Sequence, residues 1–188
     1  GNNLTPLDAV NFGCAYAQWI KERSPNIKNK IVIGRDARIS GIMIQNLVQN
    51  SLVSMGIDVI DLGLSTTPTV ELMVKKHKAS GGIIITASHN PAQWNALKLL
   101  DDKGEFLNSD EGKKIVDFSE KKNFIFSDVY DLGTITKSSD SMKSHIESVL
   151  NLKLVDVNKI KSKKLTIVVD AVNSTGGIIV PDFLKSLD

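Results

Sequence analysis

The chain has 188 residues, 41% of them hydrophobic and 23% charged, the balance of an ordinary globule with room for one full domain and part of another. A formal net charge of +2 is too small to argue for nucleic acid or a membrane surface as a partner. The single cysteine, Cys14, excludes an internal disulfide and a cysteine-built zinc site, and no run approaches the length of a membrane span, so a cytoplasmic location is expected.

Thr5-Pro6-Leu7-Asp8 opens the first helix. Thr5 is the cap, Pro6 takes the first helical position, and Asp8 completes a capping-box-like pattern near the positive helix end. Leu7, Val10, Cys14 and Ala17 recur at helical spacing and predict its buried face. Ile31-Val32-Ile33 is the first strand. It runs into Gly34-Arg35-Asp36-Ala37-Arg38-Ile39-Ser40-Gly41, where two arginines flank an aspartate between a strand and a helix. Ser40 is the expected N-cap. A helix start beside arginines makes an anion pocket. A surface loop whose charges pair with one another fits the same residues.

Ile44, Leu47, Val48, Leu52 and Met55 mark the second helix, and Gly56 suits its end. Residues 57–62 read as the second strand. Thr67-Pro68 opens a third helix, with a solvated His77 near its end. Gly81-Gly82 then lead into Ile83-Ile84-Ile85, a buried β-branched strand. It stops at Thr86-Ala87-Ser88-His89-Asn90-Pro91, a small polar hexapeptide closed by a proline. A loop at the end of a buried strand in an α/β sheet is a favoured place for a ligand site. This one offers a hydroxyl, an imidazole and an amide on adjacent residues. An ordinary surface turn is the competing reading, and adjacency of Ser88 and His89 does not make a catalytic triad.

Residues 96–100 form a strand, residues 101–104 a turn, and residues 105–107 the partner strand of a hairpin. Lys98, in mid-strand, either faces outward or points into the site. Asn108-Ser109-Asp110-Glu111 caps a helix running to about Lys122. Ser138-Ser139-Asp140-Ser141 is the most linker-like stretch, which places the domains at 1–143 and 144–188. A helix carrying His145, Val149 and Leu150 is expected to cross to the second unit. Leu165 to Val169 predicts a strand there, followed by a strand-to-helix loop at 171–177 and a helix disturbed by Pro181.

Two stretches carry a family resemblance. TASHNP at 86–91, with Lys98 in the following WNALK, resembles the active-site loop of the α-D-phosphohexomutases, the family of phosphoglucomutase, phosphomannomutase and phosphoglucosamine mutase. GRDARISG at 34–41 resembles that family's first conserved loop. The resemblance implies an α/β class: a three-layer α/β/α domain with a mixed sheet, followed by the start of a second, similar α/β domain. It also implies that the chain is the N-terminal part of a longer enzyme. Ser88 would carry a phosphoryl group, Lys98 or Arg35 would handle the proton or stabilise charge, and His89 would assist. Asn90, Arg38 and Asp36 would bind phosphate, with Arg38 alternatively bracing Asp36.

The implied reaction interconverts hexose 6-phosphate and hexose 1-phosphate through the phosphoserine and a bisphosphate intermediate. Glucosamine, mannose and glucose phosphates all fit, and the look of the first-domain match leans to phosphoglucosamine. In the family Mg²⁺ binds the serine phosphate and three aspartates of a loop that this chain lacks. The 188 residues alone are therefore expected to have neither Mg²⁺ affinity nor turnover. The implied partners are a hexose phosphate and the remaining domains of the parent chain, with no nucleic acid, no membrane and the oligomeric state open. Two alternatives stand beside this: a non-catalytic phosphosugar-binding or interaction module using the Arg35/Ser88 cleft, and a hydrolase using Ser88 and His89.

Overall fold

The computed structural model describes residues 4–187. The five strands are β1 (Lys30–Arg35), β2 (Asp58–Leu64), β3 (Gly81–Ile85), β4 (Leu97–Leu100) and β5 (Ile135–Lys137). The helices are α1 (Pro6–Arg23), α2 (Gly41–Ser54), α3 (Thr67–Lys76), α4 (Ser109–Lys121), α5 (Ser141–Leu150), α6 (Val157–Ser162) and α7 (Gly176–Lys185). The strands form one sheet in the order β4-β3-β1-β2-β5. β1 pairs in parallel with β2 and β3, β2 in parallel with β5, and β4 antiparallel to β3, so the sheet is mixed.

Strand alternation splits the core into two layers. On one face Tyr16, Ile20, Ile44, Leu52 and Ile115 of α1, α2 and α4 pack with Ile31, Ile33, Ile83 and Ile85. On the other, Val70, Met73 and Val74 of α3 pack with Val32, Ile84 and Leu100. This is the expected three-layer α/β/α arrangement with a mixed sheet. Both faces of β1 and β3 are covered, which is why their sequences read as unbroken apolar runs.

The two glycines before the Ile83 run have a packing reason. The Tyr16 hydroxyl is buried between the strands, 2.5 Å from the Leu100 carbonyl oxygen and 3.2 Å from that of Gly82. A side chain at Gly81 would overlap that hydroxyl.

Several local expectations change. Thr5 and Asp8 do form a capping box, but Leu7 is 80% exposed and the buried face of α1 instead holds Ala9, Gly13, Tyr16 and Ile20 beside Cys14 and Ala17. α1 lies close to α2 at its small residues: a Cβ on Gly13 would meet Ser51 Cβ at 3.1 Å. That approach, and not the periodicity of large side chains, sets the helix rotation. α3 is capped by Thr66, one residue before Thr67. Ser40 has helical angles and makes no cap bond; its hydroxyl accepts from Asn95 Nδ2 at 3.0 Å. His77 is half-buried, not solvated, with Nε2 enclosed and unpartnered, and burial lowers its pKa. The return strand of the hairpin shrinks to a single bridge between Leu100 and Phe106.

The C-terminal part departs further. α5 packs on α3, with Thr69 Oγ1 and His145 Nδ1 hydrogen-bonded at 2.8 Å and Lys76 Nζ 2.8 Å from Asp140 Oδ2. It therefore packs against the α3 layer. Leu165 to Val169 forms no strand. A strand needs a neighbour for its backbone groups, and none of the five strands pairs with it; Leu165, Ile167 and Val168 stay exposed. No described helix is long and apolar enough to cross a membrane.

Candidate active site

The chain passes from β1 to β2 through α2 on one face and from β2 to β3 through α3 on the other. β1 and β3 end side by side at the carboxyl edge, where the chain's path switches faces and ligand crevices form. The loops that follow them meet directly: the Asp36 N–H donates to the Ile85 carbonyl at 3.1 Å.

Asp36 joins the two loops. Its Oδ2 accepts the Thr86 hydroxyl at 2.6 Å, and the same Thr86 oxygen accepts the Ser88 N–H at 3.0 Å. Asp36 Oδ1 accepts the Arg38 backbone N–H at 3.0 Å. Arg38 Nε lies 3.1 Å from Asp36 Oδ2. Nη2 donates to the carbonyls of Ser88 at 2.8 Å and Asn90 at 2.7 Å. Nη1 donates to those of Pro91 at 2.8 Å and Trp94 at 2.9 Å. All five guanidinium N–H donors are thereby taken. Arg38 and Asp36, expected among the phosphate-binding groups, are saturated by the protein itself. The guanidinium fork fits a cluster of converging carbonyls, and the aspartate supplies its counter-charge.

Ser88 has φ of +53°, in the left-handed region that a serine occupies at a cost of about 1–3 kcal/mol. Its side chain stands exposed at the loop tip, as do His89 and Asn90. Ser88 Oγ lies 3.4 Å from His89 Nδ1, beyond a strong hydrogen bond. Among the described residues no carboxylate is bonded to His89, so the orienting member of a hydrolase triad is missing. The Asn90 side-chain amide donates to the Ala87 carbonyl at 2.9 Å and closes the turn.

The two free-standing cations are separated by the sheet. Arg35 pairs with Ile85 and Lys98 with Ile84. Ile85 belongs to the α1/α2 layer and Ile84 to the α3 layer, so Arg35 and Lys98 leave opposite faces. Arg35 Nη1 donates to the Asp36 carbonyl at 3.1 Å, while its Nε is buried without a partner. Its side chain lines a hollow of about 250 Å³ with Gln45, Asp61 and Lys137. The Lys98 ammonium lies 5.8 Å from the Phe106 ring centroid. It also opposes the upward pull that burial exerts on the Glu71 pKa.

The described residues gather no group of three or more His, Cys, Asp or Glu side chains able to hold a metal ion. Asp36, the carboxylate built into this loop system, already accepts from Arg38 and Thr86. These residues do not fit a divalent cation by themselves.

Sequence reasoning missed Thr86 as a bridge and Asn95 as a tie to Ser40. Both are polar residues buried beside the loop. Their only sequence signal is a hydrogen-bonding side chain at the edge of an apolar run.

Residues 1–126 match the model of the phosphoglucomutase/phosphomannomutase α/β/α domain I. Over 184 residues the chain is 34% identical to a phosphoglucomutase/phosphomannomutase of Thermococcus kodakarensis, covering 98% of this chain and 40% of that protein. It is 35% identical over 184 residues to a probable phosphoglucosamine mutase of Pyrococcus horikoshii, covering 98% of this chain and 38% of the relative. The crystal structure of a putative phosphomannomutase from Thermus thermophilus superposes with a TM-score of 0.83 at 23% identity, over 97% of this chain and 40% of that one. The chain thus spans about two fifths of the length of these relatives. A mixed sheet whose β1 and β3 loops are locked together around an exposed serine, matched by the domain model over two thirds of its length, makes this chain a member of the phosphoglucomutase/phosphomannomutase family.

Proposed function

We propose that this chain is the phosphoserine-bearing part of a phosphohexomutase. The observation that carries the reading is Ser88 itself: an exposed hydroxyl on a left-handed backbone, at the carboxyl edge between β1 and β3. In the proposed cycle a phosphoryl group on Ser88 Oγ passes to the free hydroxyl of a hexose monophosphate. The Oγ–P bond breaks, a P–O bond to the sugar forms, and the sugar hydroxyl proton leaves to a base. The bisphosphate then turns over, and Ser88 Oγ takes back the phosphate from the other position. The net change moves phosphate between O6 and O1.

Such a transfer needs charge neutralisation and in-line placement more than covalent help. Arg35 and Lys98 are the cations assigned to it. Lys98 or Arg35 handles the proton or stabilises the charge, and Lys98 forms no ion pair among the described residues. His89 and Asn90 flank the phosphoryl group. A phosphate on Ser88 is the only metal ligand we assign to this chain. Glucosamine phosphate is the favoured substrate, in line with the name of the Pyrococcus horikoshii relative.

The test is intact and peptide mass spectrometry of the full-length protein after incubation with hexose 1,6-bisphosphate. One phosphoryl group should reside on Ser88, and turnover of glucosamine, mannose and glucose phosphates should follow. Ser88→Ala should lose both. Near-normal turnover in Ser88→Ala would overturn the reading.

A further inference from the structure

We propose that Arg38 is a positioning residue that sets the direction of the Cα–Cβ bond carrying the Ser88 hydroxyl and touches no ligand itself. The inference rests on Ser88 being the phosphoryl carrier.

Two peptide planes meet at Ser88, and both are tethered. The plane before it is held by its N–H on Thr86 Oγ1, and the plane after it by its carbonyl on Arg38 Nη2. With both planes fixed, φ and ψ are fixed, and so is the Cα–Cβ bond that carries the hydroxyl. The tethers have one origin, since Thr86 Oγ1 and Arg38 Nε both end on Asp36 Oδ2. Arg38 also holds the carbonyls of Asn90, Pro91 and Trp94, so the loop cannot hinge just beyond the serine. Its side chain is only 11% exposed and has no donor left for a phosphate.

Such a clasp has a chemical purpose. The left-handed angle at Ser88 is unfavourable for a serine and relaxes when its restraints are cut. In-line transfer loses rate steeply when the reacting oxygen is misplaced by about an ångström. A lysine at position 38 keeps the charge, but its ammonium is a point donor and cannot span four carbonyls and a carboxylate.

The experiment uses the full-length protein with Arg38→Lys and Arg38→Ala. Both variants should lose about 100-fold in kcat with KM for the sugar phosphate within about threefold, the pattern of misplacement and not of lost binding. Methylguanidinium should restore part of kcat in Arg38→Ala, and methylammonium should not. Amide exchange should speed up at residues 86–95 and stay unchanged in α1 and α2. Arg38→Lys with kcat within twofold of the parent overturns the proposal. So does a rise in KM at unchanged kcat, which would make Arg38 a ligand contact, and so does a variant that no longer folds, which would make it a stability residue. If the parent protein neither turns over sugar phosphates nor accepts phosphate on Ser88, the mutase reading fails, while the exchange measurement still decides whether Arg38 holds the loop.

Discussion

Arg35 and Lys98 project from opposite faces of the same sheet, one paired in register with Ile85 and the other with Ile84. They share no hydrogen-bond partner, since Arg35 is tied to the Asp36 carbonyl while Lys98 leans towards Phe106. Independent groups contribute additively to a transition state. Arg35→Ala and Lys98→Ala should each lower kcat/KM of the full-length protein by about 10²-fold. The double variant should lose close to the product. A double variant no worse than either single would show that the two act as one unit.

Thr86 is a relay between the Asp36 carboxylate and the Ser88 N–H, 7% exposed. Valine keeps its shape and removes both bonds, leaving the Ser88 N–H without its side-chain acceptor and Asp36 Oδ2 with Arg38 alone. Thr86→Val should cost about 1–3 kcal/mol in denaturant unfolding, and Thr86→Ser should recover most of it. Equal stability of the valine variant and the parent would remove Thr86 from the relay.

Tyr16 places its hydroxyl against the carbonyls of Gly82 and Leu100 in the α1 layer. Tyr16→Phe leaves the ring in place and removes the hydroxyl contacts from α1 to β3 and β4; it should cost about 1–3 kcal/mol. Gly81→Ala pushes a methyl group into the same hydroxyl and should cost a similar amount by overpacking. Calorimetric melting of the two variants checks both values.

Burial lowers the pKa of His145, whose Nδ1 bonds Thr69, and of His77 at the end of the same α3 helix. The unfolded chain, with histidines near ~6.5, then binds protons more readily than the folded one. Stability from these groups is intact above ~6.5 and falls as pH drops below it. The Lys76 hydrogen bond lowers the Asp140 pKa, so that pair contributes its own loss only near and below ~3.9. The melting temperature should decline between about pH 7 and 5.5, and His145→Gln should flatten part of that decline. An unchanged slope in His145→Gln would contradict the assignment.

The sequence alone determined the strands from Ile31 and Ile83, the capping box at Thr5 and Asp8, and the two polar loops that end those strands, while its family resemblance implied the α/β class. These are local: a β-branched run, a proline, or a side chain reaching three residues along is enough to write them. The tertiary structure decided which face each residue took and which donors were free. Lys98 could not be assigned a side until the antiparallel pairing of β4 with Ile84 fixed it. Arg38 could be a phosphate group's partner or a brace for Asp36, and only packing brought the carbonyls of Ser88, Asn90, Pro91 and Trp94 to it from a loop some fifty positions away. Leu165 to Val169 has the composition of a strand and lacks one, because a strand is completed by a neighbour and not by its own residues. Hydrogen-bond partners distant in the chain are made by packing, and no spacing along the sequence encodes them.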